Sequence, residues 1–439
     1  MWVKKTLQTW GRSSKSTSEV SRPERQAELF HLLQDPPLDH GVIAYAGGRS
    51  YGDMPLNDDG RVILTGRLNR ILDFDAKTGI LIAEAGVTFA ELLECLLPQG
   101  WAPAVIPGTL MGTLGGAIAN DVHGKNHRLQ GNFSRHVLWI ELMLPKGIMK
   151  QIDREQDPDL FFATLGGMGL TGIINRVCLQ LLPASPNVAV RQERFLSWEE
   201  GVTRLEQASE KLPFTAAWLD YPTKEAIRGV LHQADFTTLP LNHQSRQWSV
   251  PFKIPFNVLN SKTRPMLNRM IWQGTPETGR EYVTGLAEFI NPLDKISNWN
   301  YLYGPRGCYQ LQCVVPQPQA TTVLRELLQH VAEQHLPMNL AVLKVLGSTG
   351  EGLLSFPKAG LTLAMDFSVA PGVADALRTM IDKIIQADGR VYLAKDAVMT
   401  AEQFHKMYPQ VETFKRILSQ YGCDRVFQSN LSRRLGITL

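Results

Sequence analysis

The sequence of 439 residues predicts an α+β protein with two or more domains, and three features support this fold class. The chain is longer than a single hydrophobic core usually serves. Two glycine-rich tracts lie at 47–53 and 108–124, and the first follows an apolar run typical of a strand. Beyond about Pro186 the character of the sequence changes, and helices and strands of ordinary composition follow. We therefore expect a first domain with glycine loops and a second α+β domain.

Local signals place several elements in the first half of the chain. Thr88 and Glu91 have the spacing of a capping box that opens a helix, and Pro98 and Gly100 end that helix. Apolar or alternating residues predict strands at 41–46, 79–85, 137–144 and 172–182.

The second half alternates helices with strands. The predicted helices are 197–212, 321–334 and 373–387, and the predicted strands are 216–221, 308–315 and 361–367. Residues 239–273 contain several prolines and show no clear periodicity. A structureless run of this length is typical of a functional lid or a disordered insert.

Composition excludes several classes of protein. Hydrophobic residues make up 44% and charged residues 20% of the chain, as in ordinary globular proteins, and a formal net charge of +3 is too small for a nucleic-acid partner. The sequence has no apolar run long enough for a membrane span, and residues 1–18 lack the apolar core of a signal peptide, so we expect a cytoplasmic protein. The five cysteines lack the spacing of a metal knuckle or a disulfide framework, and no metal is expected.

Two short motifs suggest assignments that their context opposes. Residues 167–172 spell G-x-G-x-x-G, but a dinucleotide fingerprint needs a strand before it and a helix after it, and here the predicted order is reversed. His123 and His127 have the spacing of a helical zinc pair, but Gly124 and Asn126 disfavour a helix. His123 remains a candidate active-site residue because imidazole titrates near neutral pH.

The glycine tracts themselves allow a ligand to approach the backbone closely. Successive N–H groups at 47–53 can form an anion-binding nest for a pyrophosphate, although a plain hairpin turn explains the same residues. Five glycines between 108 and 124 are too many for efficient core packing, so the backbone there is expected to serve a ligand.

Longer motifs point to one family. They are AGGRSYGD at 46–53, PGT…TLGGAIANDVHGKN at 107–126, GGMGLTGII at 166–174, WNYLYGPRGCYQLQ at 299–312, LSFP at 354–357, YLAKD at 392–396 and FHKMYP at 404–409. In these segments the chain resembles the vanillyl-alcohol-oxidase superfamily of FAD enzymes, and within it the branch of decaprenylphosphoryl-β-D-ribose 2′-oxidases. The resemblance extends over nearly the whole chain.

The resemblance implies a two-lobed FAD-binding domain with an inserted α+β substrate domain. The FAD-binding domain would comprise 1–187 and 390–439, and the substrate domain 188–389. The residues implied at the FAD site are Ala46, Gly47, Gly48, Arg49, Ser50, Tyr51, Gly52, Asp53, Gly108, Thr113, Leu114, Gly115, Gly116, Asn120, Asp121, Val122, His123, Ile174 and Tyr392. Those implied at the substrate are Lys125, Gln310, Gln312, Lys344 and Lys395, and the implied catalytic residues are Lys395, His123 and Tyr51.

Three positions depart from the family pattern. Some members of the superfamily attach FAD covalently through a histidine in the first glycine loop, and the corresponding place here holds Arg49, which cannot form that bond. FAD is therefore expected to bind non-covalently. Ala364 stands where the branch has a cysteine beside the flavin, so covalent thiol-directed inhibition is expected to fail. Asn120 replaces another cysteine.

The implied chemistry is the oxidation of a secondary alcohol, which moves a hydride to flavin and a proton to a base. At the position implied for Lys395, an ammonium would balance the charge of reduced flavin, or an amine of lowered pKa would act as base. His123 is the alternative base. Because Tyr392 and Lys395 are three residues apart, a straight strand would point them to opposite faces, so the strand is expected to end or bulge.

The implied reaction oxidises the 2-hydroxyl of a polyprenyl-phosphoryl ribose to a keto sugar, the first half of an epimerisation to the arabinose form for cell-envelope polysaccharide synthesis. A partner short-chain reductase would complete the epimerisation. Two alternatives stay open: an FAD oxidase of a free alditol or aldonolactone, and a flavin-binding protein that has lost catalysis and serves as a structural partner.

Residues 239–273 also suggest contact with a membrane. The segment mixes aromatic with cationic residues, namely Trp248, Phe252, Phe256 and Trp272 with Lys253, Lys262, Arg264 and Arg269. This composition suits peripheral attachment at the inner face of a membrane that carries a lipid phosphate, and it also suits a loop that packs on its own domain.

Overall fold

The computed structural model describes residues 1–34, 39–221, 227–241, 248–250, 252–260 and 263–439. The strands are β1 (Val3–Gln8), β2 (Lys15–Ser21), β3 (Val42–Tyr45), β4 (Arg61–Leu64), β5 (Ile71–Asp75), β6 (Ile80–Glu84), β7 (Trp101–Pro103), β8 (Val137–Met143), β9 (Met149–Asp153), β10 (Ile173–Pro183), β11 (Asn187–Phe195), β12 (Phe214–Asp220), β13 (Arg228–Thr237), β14 (Trp248–Ser249), β15 (Arg280–Gly285), β16 (Ile296–Ser297), β17 (Cys308–Val315), β18 (Met338–Leu346), β19 (Gly360–Ser368) and β20 (Arg390–Val391). The α-helices are α1 (Gln26–Gln34), α2 (Phe89–Leu96), α3 (Leu114–Ala119), α4 (His127–Gln130), α5 (Pro158–Thr164), α6 (Trp198–Ser209), α7 (Thr263–Gly274), α8 (Leu286–Ile290), α9 (Ala320–Glu333), α10 (Val373–Gln386), α11 (Ala401–Met407), α12 (Val411–Gln420) and α13 (Asn430–Arg434).

The part of the chain before β11 forms two sheets. The first has the strand order β1-β2-β4-β3, in which β2 and β3 both run parallel to β4. The second is antiparallel, with the order β5-β6-β10-β8-β9 and β7 paired to β10. The predicted capping box is confirmed, because the Thr88 side chain accepts from the Glu91 N–H while the Glu91 carboxylate accepts from the Thr88 N–H at the start of α2.

The third sheet is antiparallel and has eight strands, in the order β15-β11-β13-β12-β18-β19-β17-β20. Helices α6, α9 and α10 pack on one face of this sheet. Side chains alternate between the faces of a strand, so on β17 Leu311 and Cys313 are buried in the core while Gln310 and Gln312 point to the opposite face. That opposite face is turned toward the glycine-rich loops.

The C-terminal segment returns to the first sheet. The Val42 N–H donates to the Val426 carbonyl at 2.7 Å, and the Gln428 N–H donates to the Val42 carbonyl at 3.1 Å. The last strand of the large sheet, β20, ends at Val391, and residues 393–395 form a turn. The prediction that this strand ends before Lys395 is therefore confirmed.

The context of the G-x-G-x-x-G motif at 167–172 is also confirmed, because α5 precedes the motif and β10 follows it. This order is the reverse of a dinucleotide-binding fingerprint, in which the helix N-terminus follows the glycines. The motif is a turn between a helix and a central strand.

The prediction that residues 239–273 lack regular structure is wrong for the described part, which contains β14 and α7. Pro265 did not prevent the helix because it lies in the first turn, where proline is tolerated. Trp272 agrees with the alternative that the segment packs on its own domain: it is only 8% exposed, and its ring centre lies 4.7 Å from the Arg194 guanidinium and 4.3 Å from that of Arg228. Lys262 lies outside the described residues.

Within the described ranges, the helices are too short or too polar to cross a lipid bilayer.

Candidate active site

The first glycine-rich loop follows β3 and is held in place by close backbone approaches. Gly48 has a φ of +61°, and a Cβ at this position would overlap the Tyr45 hydroxyl group. A Cβ at Gly52 would overlap the carbonyl oxygen of Asp396, in the turn after β20. A larger residue at either glycine would therefore displace the loop.

The second glycine-rich tract contains α3, whose N-cap is Thr113. The Thr113 hydroxyl oxygen accepts from the Gly116 N–H at 3.2 Å. The sequence did not predict this helix because glycine is a poor helix former, but Gly115 is needed for close packing against Ala85. Gly108 differs, since a Cβ there would meet no atom within 4 Å. The backbone at Gly108 is open to a ligand.

A cavity of about 350 Å³ lies between these two loops, the large sheet and the turn after β20. Its size is within the range of small-molecule sites. The predicted site residues that line it are Ala46, Gly47, Gly48, Arg49, Ser50, Tyr51, Gly108, Thr113, Gly115, Gly116, Asn120, Val122, His123, Lys125, Ile174, Gln310, Gln312, Lys344, Tyr392 and Lys395. The fold thus brings together residues from six separate segments of the chain.

Four residues predicted at the FAD site do not line this cavity, namely Gly52, Asp53, Leu114 and Asp121. The Asp53 carboxylate accepts two hydrogen bonds from Arg434, at 2.8 and 3.0 Å. The Asp121 carboxylate accepts from the side chains of Asn132 and Ser355. The other two residues pack in the core or against backbone. Their contacts hold the loops in place, and a role of these four residues at FAD stays a prediction.

Several polar atoms on cavity-lining residues are buried without a partner in the described structure. They are Arg49 Nε, Ser50 Oγ, Asn120 Oδ1 and His123 Nδ1. Buried polar groups in folded proteins are nearly always hydrogen-bonded, so a cluster of unpaired ones needs an explanation. Together with the open backbone at Gly108, these unpaired atoms indicate that the cavity can bind a ligand with polar as well as apolar parts.

Three lysines converge on the cavity. Burial lowers the pKa of Lys395 to about 8 and that of Lys344 to about 8, with repulsion from Lys395 adding to the shift of Lys344. Burial and repulsion from Lys344 lower the pKa of Lys125 to about 7. Lys125 donates to the Phe289 carbonyl at 2.8 Å, whereas neither Lys344 nor Lys395 forms an ion pair with any described residue. The cavity therefore favours a ligand with an anionic group.

Lys395 lies over Tyr51, with Nζ 4.2 Å from the centre of the aromatic ring. Tyr51 is buried, and burial followed by the nearby Asp366 carboxyl group raises its phenol pKa well above the usual value. Tyr51 is therefore a neutral aromatic surface at physiological pH, and its ring face attracts the Lys395 ammonium.

His123 is buried and neutral. Burial, followed by the charge of Lys344, holds its pKa well below the usual value. The Gln312 amide nitrogen lies 2.8 Å from His123 Nε2. With this amide as donor, Nε2 accepts and the proton is on Nδ1, the nitrogen without a partner. The ring packs against Tyr392, with 5.2 Å between ring centroids.

The nearby His127 has a different environment, because both of its ring nitrogens are engaged by the protein. Nε2 lies 2.7 Å from Asn132 Oδ1, and Nδ1 accepts from the Gly347 N–H at 3.1 Å. This arrangement agrees with a hydrogen-bonded histidine, at the first position of α4, rather than with the zinc pair that the spacing suggested.

Two acidic residues at the site were missed by the sequence analysis. Asp366 accepts from the Tyr303 hydroxyl at 3.0 Å and from the Gln310 amide, and its charge partly offsets the lowering of the Lys395 pKa by burial. Asp294 accepts from the Leu110 N–H at 2.7 Å and thereby anchors the second glycine tract. One signal for Asp366 was available: a charged residue inside a predicted buried strand is rare unless it is paired.

Comparison with known proteins identifies the family of the chain and its cofactor. Residues 20–153 match the FAD binding domain family. The chain is 33% identical over 449 aligned residues to the decaprenylphosphoryl-beta-D-ribose oxidase of Mycolicibacterium smegmatis, covering 98% of this chain and 97% of that protein. The chain belongs to the vanillyl-alcohol-oxidase-type family of FAD-dependent oxidoreductases. It is an enzyme that binds FAD and acts on CH–OH donors.

More distant relatives belong to the same broad group. The L-gulono-1,4-lactone dehydrogenase of Mycobacterium tuberculosis is 21% identical, over 95% of this chain and 96% of its own. Cytokinin dehydrogenase 6 of Oryza sativa is 36% identical over 173 residues, which cover 38% of this chain and 33% of the plant protein. These matches support the FAD-binding fold and leave the substrate to be argued from the site.

The FAD of this family member is expected to be released by acid. Arg49 occupies the place in the first glycine loop at which a covalently attached flavin would need a histidine, and its guanidinium lies 4.7 Å from the Trp10 ring centre. After precipitation with trichloroacetic acid, the yellow chromophore should remain in the supernatant. Flavin absorbance retained in the washed and denatured pellet would contradict non-covalent binding.

The cavity is also expected to be insensitive to thiol reagents. Ala364 lines it from β19, and no cysteine does. Iodoacetamide should leave turnover unchanged, whereas Ala364→Cys should create a site at which alkylation blocks the enzyme. Both measurements are best made in a Cys95→Ser background, because Cys95 is exposed while the other four cysteines are buried. Equal inactivation of both variants would show that Ala364 does not lie beside the reacting groups.

Proposed function

We propose that this enzyme oxidises the 2-hydroxyl of a polyprenyl-phosphoryl ribose to a keto sugar. The observation that carries the proposal is the group of half-buried lysines on the cavity, because neither Lys344 nor Lys395 forms an ion pair with a carboxylate in the described structure. A phosphorylated substrate would neutralise this charge, whereas a free sugar would not. The decaprenylphosphoryl-beta-D-ribose oxidase that matches 98% of the chain supports the same substrate class.

We propose that the FAD-binding domain is two-lobed and comprises residues 1–187 and 390–439, with the substrate domain at 188–389 inserted between them. The sheet order supports this division, because strands β1 to β10 form two sheets, whereas β11 to β20 form the large sheet and the separate pair β14-β16. The C-terminal segment contacts the first lobe through Val42 and through Arg434. Because β20 still pairs with β17, the chain leaves the large sheet at Tyr392.

In the proposed mechanism, bound FAD supplies the acceptor for the hydride of the carbinol carbon. Lys395 holds a positive charge at the cavity, where it stabilises the negative charge that develops during the reaction. The Tyr51 ring packs against the Lys395 ammonium group. A hydrogen bond between Gln310 and Asp366 holds the polar side chains beside it in place. With a pKa of about 8, the Lys395 side chain is protonated in most molecules at neutral pH.

His123 is the alternative base in this scheme. Its Nε2 is occupied by the Gln312 amide, and its lowered pKa makes it a weak acceptor of the hydroxyl proton. We therefore propose that the hydroxyl proton passes to solvent water and that His123 orients the substrate together with Gln312. Full turnover by His123→Gln would remove any role of this imidazole as a base.

The alternative substrate is a free alditol or an aldonolactone. The lactone dehydrogenase that matches the chain is only 21% identical, so it does not favour this alternative over a lipid-linked sugar. A flavin-binding protein without catalysis is opposed by the enzymes that match the chain over nearly its full length.

A keto sugar at the end of a lipid needs a second enzyme, and we propose a short-chain reductase that returns a hydride to the same carbon and so completes an epimerisation. We also propose peripheral attachment at the inner face of a membrane. Trp248, Phe252 and Phe256 are each more than 60% exposed, as residues of an interfacial segment would be. If a variant with alanine at these three positions sedimented with anionic vesicles as well as wild type, this attachment would be excluded.

The proposed function is tested by anaerobic bleaching of the flavin. Purified holoenzyme is mixed with farnesylphosphoryl ribose, a free pentitol and an aldonolactone in parallel, and the loss of absorbance near 450 nm is followed. Bleaching by the lipid-linked ribose alone supports the proposal. Bleaching by the free sugars alone would transfer the function to the alternative, and bleaching by none would oppose both.

A further inference from the structure

A second and larger cavity lies beside the FAD site. Its volume is about 850 Å³, and it lies between α7, the end of α9 and the first residues of β18. We call it the tail groove and define it by its apolar lining residues Phe256, Leu259, Leu336, Met338, Leu340 and Ala370. The mechanism described above makes no use of this groove.

The tail groove adjoins the FAD cavity at one strand. Leu340 lines both cavities, whereas Val342 and Lys344 line only the FAD cavity. These three residues are two apart along β18 and therefore share one face of the sheet. Since a strand rises about 3.3 Å per residue, Leu340 lies about 13 Å from Lys344. From Lys344, β18 thus passes Val342 and Leu340 before it reaches the groove.

The outer side of the groove lies beside an unusually apolar surface. Helix α7, which contributes Arg264 and Asn268 to the lining, exposes Met266 and Met270, each more than 60% accessible to solvent. Phe256 on the groove wall is 65% exposed. Neighbouring exposed apolar side chains at the edge of an apolar cavity are typical of a surface that meets another apolar phase or ligand.

We propose that the tail groove binds the first isoprene units of the polyprenyl chain of the substrate, while the ribose and the phosphate lie in the cavity next to Lys344. This inference rests on the proposed function, because it assumes a lipid-linked sugar. The groove then fixes which end of the substrate faces Lys395. The remaining chain leaves the protein beside α7, toward the membrane phase that holds it.

The proposal predicts that affinity depends on chain length. An isoprene unit is about the size of a leucine side chain, so each unit that becomes buried should tighten binding by about tenfold or more. Methyl, prenyl, geranyl and farnesyl phosphate can be titrated calorimetrically into oxidised holoenzyme, below the concentrations at which they form micelles. Binding should tighten along this series, with a heat-capacity change that becomes more negative as apolar surface is buried.

Two variants place bulk in the groove without touching the FAD cavity. Ala332→Trp and Ala370→Trp both fill the lining, and Ala76→Trp, on an exposed turn, is the matched control. The groove variants should lose most of the increase in affinity from prenyl to farnesyl phosphate and keep the affinity for methyl phosphate. The control should keep the full increase in affinity along the series.

The outcomes separate this proposal from the proposed function. Equal affinity for all four phosphates would overturn the proposal that the groove binds the isoprene units. A chain-length dependence that survives in both groove variants would also overturn it. If farnesyl phosphate binds tightly in a groove-dependent way but no phosphoryl ribose bleaches the flavin, the groove stands and the reaction assignment fails. The binding measurement needs no turnover, so an inactive preparation with bound FAD still tests the groove.

Discussion

Replacing Lys395 with methionine is expected to slow flavin reduction by substrate by about 10²–10³-fold while FAD stays bound. Lys395 is half-buried and forms no ion pair with a described carboxylate, and its Nζ lies over the ring of Tyr51. Removing it deletes a positive charge from the lining of the cavity. Loss of such a group raises the barrier mainly in the transition state, so kcat should fall more than KM rises.

The pH dependence distinguishes the two roles of Lys395. The folded protein lowers its pKa to about 8, from a usual value near 10.5. If the ammonium form acts, flavin reduction is fast below pH 8 and declines as the pH rises through that value. If the neutral amine acts as base, the rate rises over the same range. We expect the decline, and we expect Lys395→Arg to recover part of the activity because arginine keeps the charge.

Anaerobic stopped-flow measurement of flavin absorbance provides the rates for these variants. Lys77→Met is the matched control, because Lys77 is an exposed lysine on a turn far from the cavity. Its rate should equal that of wild type. A Lys395→Met enzyme that bleaches within threefold of wild type would contradict the assignment of this residue.

Replacing Arg434 with methionine is expected to destabilise the protein by about 3 kcal/mol. Its guanidinium pairs with Asp53 at 2.8 Å and with Asp396 at 2.9 Å. The Asp396 side chain is only 1% exposed, so the substitution leaves a buried carboxylate without its counter-charge. The two aspartates belong to the first glycine loop and to the turn that carries Lys395. The FAD affinity should therefore fall together with the stability.

Urea unfolding of the apoprotein and fluorescence titration with FAD measure these two effects. Arg67→Met is the control, since Arg67 and Glu24 form an ion pair with both side chains about half exposed, and such surface pairs contribute at most about 1 kcal/mol. Equal unfolding midpoints for the two variants would show that Arg434 does not hold the loop and the turn together.

Elements with local signals were predictable from the sequence. The capping box at Thr88 and Glu91 needs only residues three apart, and the alternation along β10 or β17 needs only the strand itself. The family motifs added the position of Lys395 and of the glycine loops, which the structure brings to one cavity.

Contacts between distant residues were not predictable in the same way. Arg434 and Asp53 are 381 positions apart, and nothing near either residue signals the other. The sequence therefore assigned Asp53 to FAD, although its carboxylate is engaged by the protein. Helix α7 was missed for a different reason: its apolar residues Met266 and Met270 face solvent, so the pattern did not match a helix that buries one face.

The most direct test of the central claim is a kinetic isotope effect on flavin reduction. Lipid-linked ribose carrying deuterium at C1, C2 or C3 is mixed with holoenzyme under anaerobic conditions, and the bleaching rates are compared with those of the unlabelled substrate. If Lys395 and FAD oxidise the 2-hydroxyl, only the C2-deuterated substrate reacts more slowly, because only its hydride is transferred. A primary isotope effect at C1 or C3, with none at C2, would contradict the reaction that we propose.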